Sequence, residues 1–136
     1  MNVFVVMMRI AARAIERSAV AARQKFLVIH MTDPAGAEWD PDTDGARLQR
    51  WLEFRDGPDG WEPNGETVAG PDEARRITAH SGDVVVTDGP FPEFTEWFLG
   101  VEWIEAADMD EATRMLAEHS TARIGRMYVI PARGDQ

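Results

Sequence analysis

Apolar and polar positions along the chain fall into segments with two different periods. Lys25 to Met31, KFLVIHM, is a short run of large and β-branched residues closed by Thr-Asp-Pro-Ala-Gly, which predicts a buried first strand. From Asp40 the period changes. Asp40 followed by Pro41 offers an N-cap and a first-turn proline, and Leu48, Trp51 and Leu52 recur at core-facing helical spacing. Asp56-Gly57-Pro58 ends that helix, and the turn-dense DGPDGWEPNG connector follows. Glu66 to Ala69 predicts a short strand, and Arg75 to His80 with Asp83 to Thr87 predicts a hairpin closed tightly at Ser81-Gly82. Three valines then run into Asp88-Gly89-Pro90-Phe91, a turn sequence. Glu96 to Ala106 predicts a longer strand with Trp97, Leu99, Val101 and Trp103 on its apolar face. Asp108 caps a second helix, with Glu111 in capping-box spacing and Ala112, Met115, Leu116 and His119 as its buried stripe. Arg126 to Ile130 is the last strand, ended by Pro131.

Strand, helix, strand with hairpin, strand, helix, strand is the order of a ferredoxin-like α+β layer, an antiparallel sheet carrying both helices on one face. The other face then needs cover, and a second copy of the chain supplies it, so a homodimer is expected.

Residues 1–24 stand apart from the expected domain at residues 25–133. Val3 to Met8 is too short an apolar run to span a bilayer, and no basic residue precedes it as in a signal peptide. Arg9, Arg13, Glu16 and Arg17 share one helical face. Three readings of this extra N-terminal helix stay open: an appended packing helix, a leader translated from an over-long gene start, and a surface-membrane or targeting helix.

Composition narrows the partners. The 136 residues are 44% hydrophobic, enough for one domain with a core. The formal net charge is −10, and since residues 1–25 carry +4 the remainder carries −14. Such a surface repels phosphate backbones and anionic membrane faces, so neither nucleic acid nor membrane is an expected partner. Cysteine is absent, which removes disulfides, thiolate nucleophiles and Cys-ligated metals and agrees with a cytoplasmic location. There is no G-x-G-x-x-G, P-loop, G-x-S-x-G or H-E-x-x-H. No cofactor is expected.

Several residue strings resemble one known family. V-T-D-G-P-F at Val86 to Phe91, the approach from Glu96 to Gly100, I-E-A at Ile104 to Ala106 and D-x-D-E-A at Asp108 to Ala112 are similar to the DGPF-type members of the YCII-related family. The resemblance is strong over the last half of the chain and weaker over Lys25 to Met31. It implies a small bacterial protein that pairs into a dimeric α+β barrel. It also implies a choice of functions, since the broader family includes a dehydrochlorinase-like enzyme and members with a proposed His–Asp acid–base pair. Many DGPF members sit beside extracytoplasmic-function sigma factors. Asp88, Gly89, Pro90 and Phe91 match the motif residue for residue. The chain departs from the family at His30, where a tyrosine is common, and at Val101-Glu102, which replaces an aromatic pair.

Asp88 is the leading candidate for chemistry, as a carboxylate in a turn next to Phe91, with structural service to the turn as the plainer alternative. His30, alone in an apolar strand, is the second candidate, either a satisfied interior residue or, if it meets Asp88, a carboxylate-oriented imidazole. Gly89, Pro90 and Phe91 complete the expected ligand pocket. His80 is expected at the surface and His119 in the core, so a three-histidine metal site is not expected. Glu66 and Glu102 are expected to face solvent or a dimer partner. The combined expectation is proton transfer, of isomerase or lyase type, on a small organic acid or lactone-like molecule. The alternative is a non-catalytic ligand-binding or accessory module linked to sigma-factor or stress regulation.

Overall fold

The run Gln24–Thr32 forms β1, and its alternation sets the rest of the architecture. Phe26, Val28 and His30 are buried on one face, while Leu27 and Ile29 point to the other. The computed structural model describes residues 23–134, so the expected helix within residues 1–24 lies almost wholly outside the described residues. β1 is central. It pairs antiparallel with β5 (Phe98–Ala106) on one side and β6 (Gly125–Pro131) on the other, and β2 (Glu66–Thr67) joins the far side of β5. A separate antiparallel hairpin, β3 (Arg75–Thr78) with β4 (Val85–Asp88), is inserted between β2 and β5. With the hairpin set aside, the order β2-β5-β1-β6 is that of a ferredoxin-like sheet whose second strand has shrunk to two residues.

Helix α1 (Pro41–Asp56) starts where the sequence says it should. The Asp40 side chain accepts from the backbone N–H groups of Asp42 and Thr43, and Pro41 fills a position whose N–H has no helical partner. Helix α2 (Met109–Leu116) is capped by Asp108, which accepts from Glu111 N–H at 2.8 Å, and the one-turn α3 (Thr121–Ile124) follows. Trp51 of α1, Ala112 and Leu116 of α2, and Trp61 of the connector pack on Phe26, Val28, Ile104 and Ala106 of the sheet. Both longer helices therefore cover the same face.

Three expectations need correction. The hairpin is closed by six residues, 79–84, with Gly82 at φ +92°, because pairing stops at Thr78 and Val85. β2 pairs over two residues only. The larger correction concerns β5, where Leu99, Val101 and Trp103 lie on the uncovered face and Gly100, Glu102, Ile104 and Ala106 meet the helices. Trp97 precedes the strand. Register with β1 decides this: Phe26 opposes Ile104, Val28 opposes Glu102 and His30 opposes Gly100. A one-residue slip would exchange the faces, and apolar side chains occupy both.

One buried charge ties α1 to α3. Asp44 is fully buried and accepts from both Arg123 Nε (2.9 Å) and the Arg123 terminal nitrogen (2.6 Å), as well as from the Asp40 N–H. The Arg123 hydrogen bonds outweigh the cost of burial and bring the Asp44 pKa down from 3.8 to about 2. A carboxyl group depressed in the folded state contributes stability above its unfolded pKa and loses it as pH falls through the folded one. Stability should therefore drop between about pH 4 and pH 2, and Asp44→Asn should flatten that part of the curve. Urea midpoints across this range test it, and an unchanged slope in the variant would contradict it.

Candidate functional site: a His–Glu–His cavity

A cavity of about 430 Å³ opens between α1, β5 and the turn that joins α2 to α3. Glu66 and Thr67 of the two-residue β2 border it on the sheet side. Trp39, Leu48, Leu52 and Arg55 form one wall, and His30, Glu102, His119 and Thr121 form the polar end. Alternation on β1 turns His30 toward the helices, and the β1–β5 register brings Glu102 to the same side. Opposite His30 stands Gly100, where a Cβ would come within 2.7 Å of the Glu66 carbonyl oxygen. His119 arrives from the other layer. α2 ends at Leu116, and the chain turns through His119 to start α3, with His119 N–H donating to Leu116 C=O and Ala122 N–H to His119 C=O.

The polar groups are joined as follows. His30 Nδ1 and Thr121 Oγ1 are hydrogen-bonded at 2.9 Å, across 91 residues of sequence. His30 Nε2 faces Glu102 Oε1 at 3.4 Å, and Glu102 Oε1 is buried with no hydrogen-bond partner among the described residues. The backbone N–H of Thr121 donates to His119 Nδ1 at 3.0 Å. The two imidazole rings lie 4.6 Å apart between centroids, and the edge of Trp51 meets His119 at 5.1 Å. Burial, followed by the neighbouring His30, drives the His119 pKa from 6.5 down to about 4, against the pull of Glu102. His119 is thus neutral at physiological pH.

His30, Glu102 and His119 each offer a ligand atom within 4.8 Å of the others, the residue types of a His₂Glu metal site. The hydrogen bonds weigh against that use. His119 Nδ1 spends its lone pair on the Thr121 N–H, so the proton of the neutral ring sits on Nε2 and neither nitrogen is left as a ligand.

The DGPF turn lies elsewhere. Asp88, the last residue of β4, is exposed, and its carboxylate accepts from Arg75 Nε at 2.7 Å across the hairpin. It is not among the residues lining the His30 cavity, so the condition for a carboxylate-oriented His30, a meeting with Asp88, is not met within the chain. The turn is held by Gly89 N–H donating to Ala74 C=O at 2.8 Å, and a Cβ at Gly89 would meet the Pro71 carbonyl oxygen at 1.9 Å. Phe91 is buried and stacks on Trp97, with Phe94 edge-on to both. Pro90 and Phe91 line a smaller hollow of about 210 Å³ with Thr32, Pro71, Phe94 and Trp97. His80 is exposed as expected. Glu102 faces inward, contrary to expectation, and Glu66 also borders the cavity. Thr121 gave no signal in the sequence beyond a hydroxyl residue two positions after a histidine.

These features define an α+β protein of ferredoxin-like type with a His–Glu–His cavity between its sheet and helices. The YCII-related domain family matches residues 11–132, and the chain belongs to that family. No curated protein matches it. Among the described residues no helix is long and apolar enough to cross a membrane.

Proposed function

We propose that the chain catalyses proton transfer on a small organic acid or lactone-like molecule bound in the His30 cavity. One observation carries this reading: a buried imidazole nitrogen, His30 Nε2, faces an otherwise unpartnered carboxylate oxygen inside a cavity of ligand size. His30 acts as the base, and Glu102 faces the nitrogen on which the proton arrives. Trp39, Leu48 and Leu52 hold the apolar body of the substrate, with Arg55 at the same wall. The test follows deuterium incorporation by NMR, in D₂O, into a panel of two- to six-carbon oxo acids, hydroxy acids and lactones. Exchange of at least one compound by wild-type protein, abolished by a compound that fills the cavity, is expected. Ligands that raise the melting temperature through this cavity without any exchange would leave the non-catalytic binding module as the better account.

Among the described residues, the sheet keeps an exposed apolar face. Two cross-strand rows, Ile130–Leu27–Trp103 and Tyr128–Ile29–Val101, lie on the side of the sheet away from the helices. Val101, Trp103, Tyr128 and Ile130 are each more than a third exposed. A second copy placed on this face makes the homodimer that the resemblance implies. Light scattering at micromolar concentration should give twice the chain mass, and Trp103→Lys should halve it. A wild-type monomer would rule the dimer out.

A further inference from the structure

We propose that Thr121 locks the two imidazoles in opposite tautomers, His30 protonated on Nδ1 and His119 on Nε2, and that the substrate is a small carbonyl compound whose oxygen accepts from His119 Nε2–H. The substrate half rests on the proton-transfer reading above. The tautomer half rests on the hydrogen bonds of Thr121 and, for His30, on the 3.4 Å separation from Glu102.

Thr121 touches both rings with different chemistry. Its backbone N–H can only donate, so His119 Nδ1 must accept, and the ring proton is left on Nε2. Among the described residues no protein acceptor is bonded to Nε2, and His119 lines the cavity, so this donor is available to a ligand. The Thr121 hydroxyl oxygen can accept from His30 Nδ1–H at 2.9 Å. In the opposite tautomer His30 Nε2–H would point to Glu102 Oε1, yet that oxygen has no hydrogen-bond partner and lies 3.4 Å away. The Nδ1–H form is the one that uses its donor, and it leaves Nε2 as the free lone pair. Burial keeps His119 neutral, which suits a donor that must never deliver its proton as an acid.

A base beside a neutral N–H donor fits carbon acids activated by a carbonyl group. His30 Nε2 takes a proton from the carbon next to the carbonyl. The C–H pair becomes the new C=C bond, and the C=O π pair moves to oxygen, where the negative charge accepts from His119 Nε2–H. The imidazolium of His30 then returns a proton to carbon, so no oxidant, reductant or co-reactant is consumed. Substrates whose charge cannot reach an oxygen gain nothing from His119.

The experiment uses the full chain labelled with ¹⁵N. Long-range ¹H–¹⁵N spectra at pH 7 should show a protonated Nε2 for His119 and a protonated Nδ1 for His30. Thr121→Val removes the hydroxyl and keeps the backbone amide, so His119 should stay unchanged while His30 loses its preference; Thr121→Ser should restore it. Both rings in one tautomer, or no response of His30 to Thr121→Val, would overturn the assignment. So would stoichiometric zinc binding that shifts both Nε2 signals, since His119 Nε2 would then be a ligand. In the exchange assay, His119→Phe should lose roughly 10²-fold in rate and His119→Asn, which keeps a donor, should lose about tenfold or less. Equal exchange of carbonyl and non-carbonyl carbon acids would overturn the substrate class. Assigned tautomers with no exchange in the whole panel would sink the proton-transfer reading and the substrate class together, leaving the tautomer lock standing.

Discussion

Phe26→Ala should destabilise the folded chain by about 3–5 kcal/mol, as large-to-small changes of a fully buried aromatic do. Phe26 has no exposed surface and sits on the central strand, opposite Ile104 on β5 and Pro131 on β6. Trp51, Trp61 and Leu116 belong to the same buried cluster, so the vacated volume lies between the sheet and its helical layer. Against a typical total of about 5–15 kcal/mol, this is a large share of the stability. Phe26→Leu should lose much less, because most of the apolar volume is kept. Ile77→Ala is the control, since Ile77 is 65% exposed on the hairpin and its loss should stay within about 0.5 kcal/mol. Urea unfolding with unchanged m-values reads all three. A Phe26→Ala cost below about 1 kcal/mol would mean that the core does not centre on β1.

What could be read from the chain was local. The caps at Asp40 and Asp108 show in the sequence because a carboxylate accepting two or three residues ahead needs no distant partner. β1 shows because six consecutive apolar or buried residues, Phe26 to Met31, need a sheet around them. β5 illustrates the limit. Leu99, Val101 and Trp103 make the more apolar stripe, yet the stripe that meets the helices contains Glu102, because both faces of this sheet are largely apolar and only pairing with β1 selects one. The same ambiguity hid Glu102 from the candidate site.

The site itself depends on long-range placement. His30 could be singled out as a lone histidine in an apolar strand, but its partner Thr121 lies 91 positions away. His119 continued the helical stripe of α2 and read as core; it is indeed buried, but the helix stops at Leu116 and the turn carries the ring to the cavity. Asp88 was drawn toward a pocket by its motif, while its actual neighbour, Arg75, faces it across a hairpin whose pairing fixes the contact. A motif fixes backbone geometry at Gly89 and packing at Phe91 more directly than it fixes a site.

His30→Gln should lower the rate of deuterium exchange by roughly 10²- to 10⁴-fold, the usual loss when a general base is removed. Glutamine is close in length and can still bond to Thr121 Oγ1, so the fold and the cavity should survive, which an unchanged urea midpoint would verify. The loss should fall on kcat, with KM nearly unaltered, because His30 meets the transferring proton while Trp39, Leu48 and Leu52 hold the remainder of the substrate. Trp39→Ala should show the opposite division, a raised KM with kcat retained. Glu102→Gln tests the electrostatic half: it keeps the side-chain shape and removes the charge facing Nε2, so its rate should lie between wild type and His30→Gln. Should His30→Gln and Glu102→Gln both exchange protons at the wild-type rate, the base must be some other group, and the His–Glu–His cavity would be a binding site without chemistry.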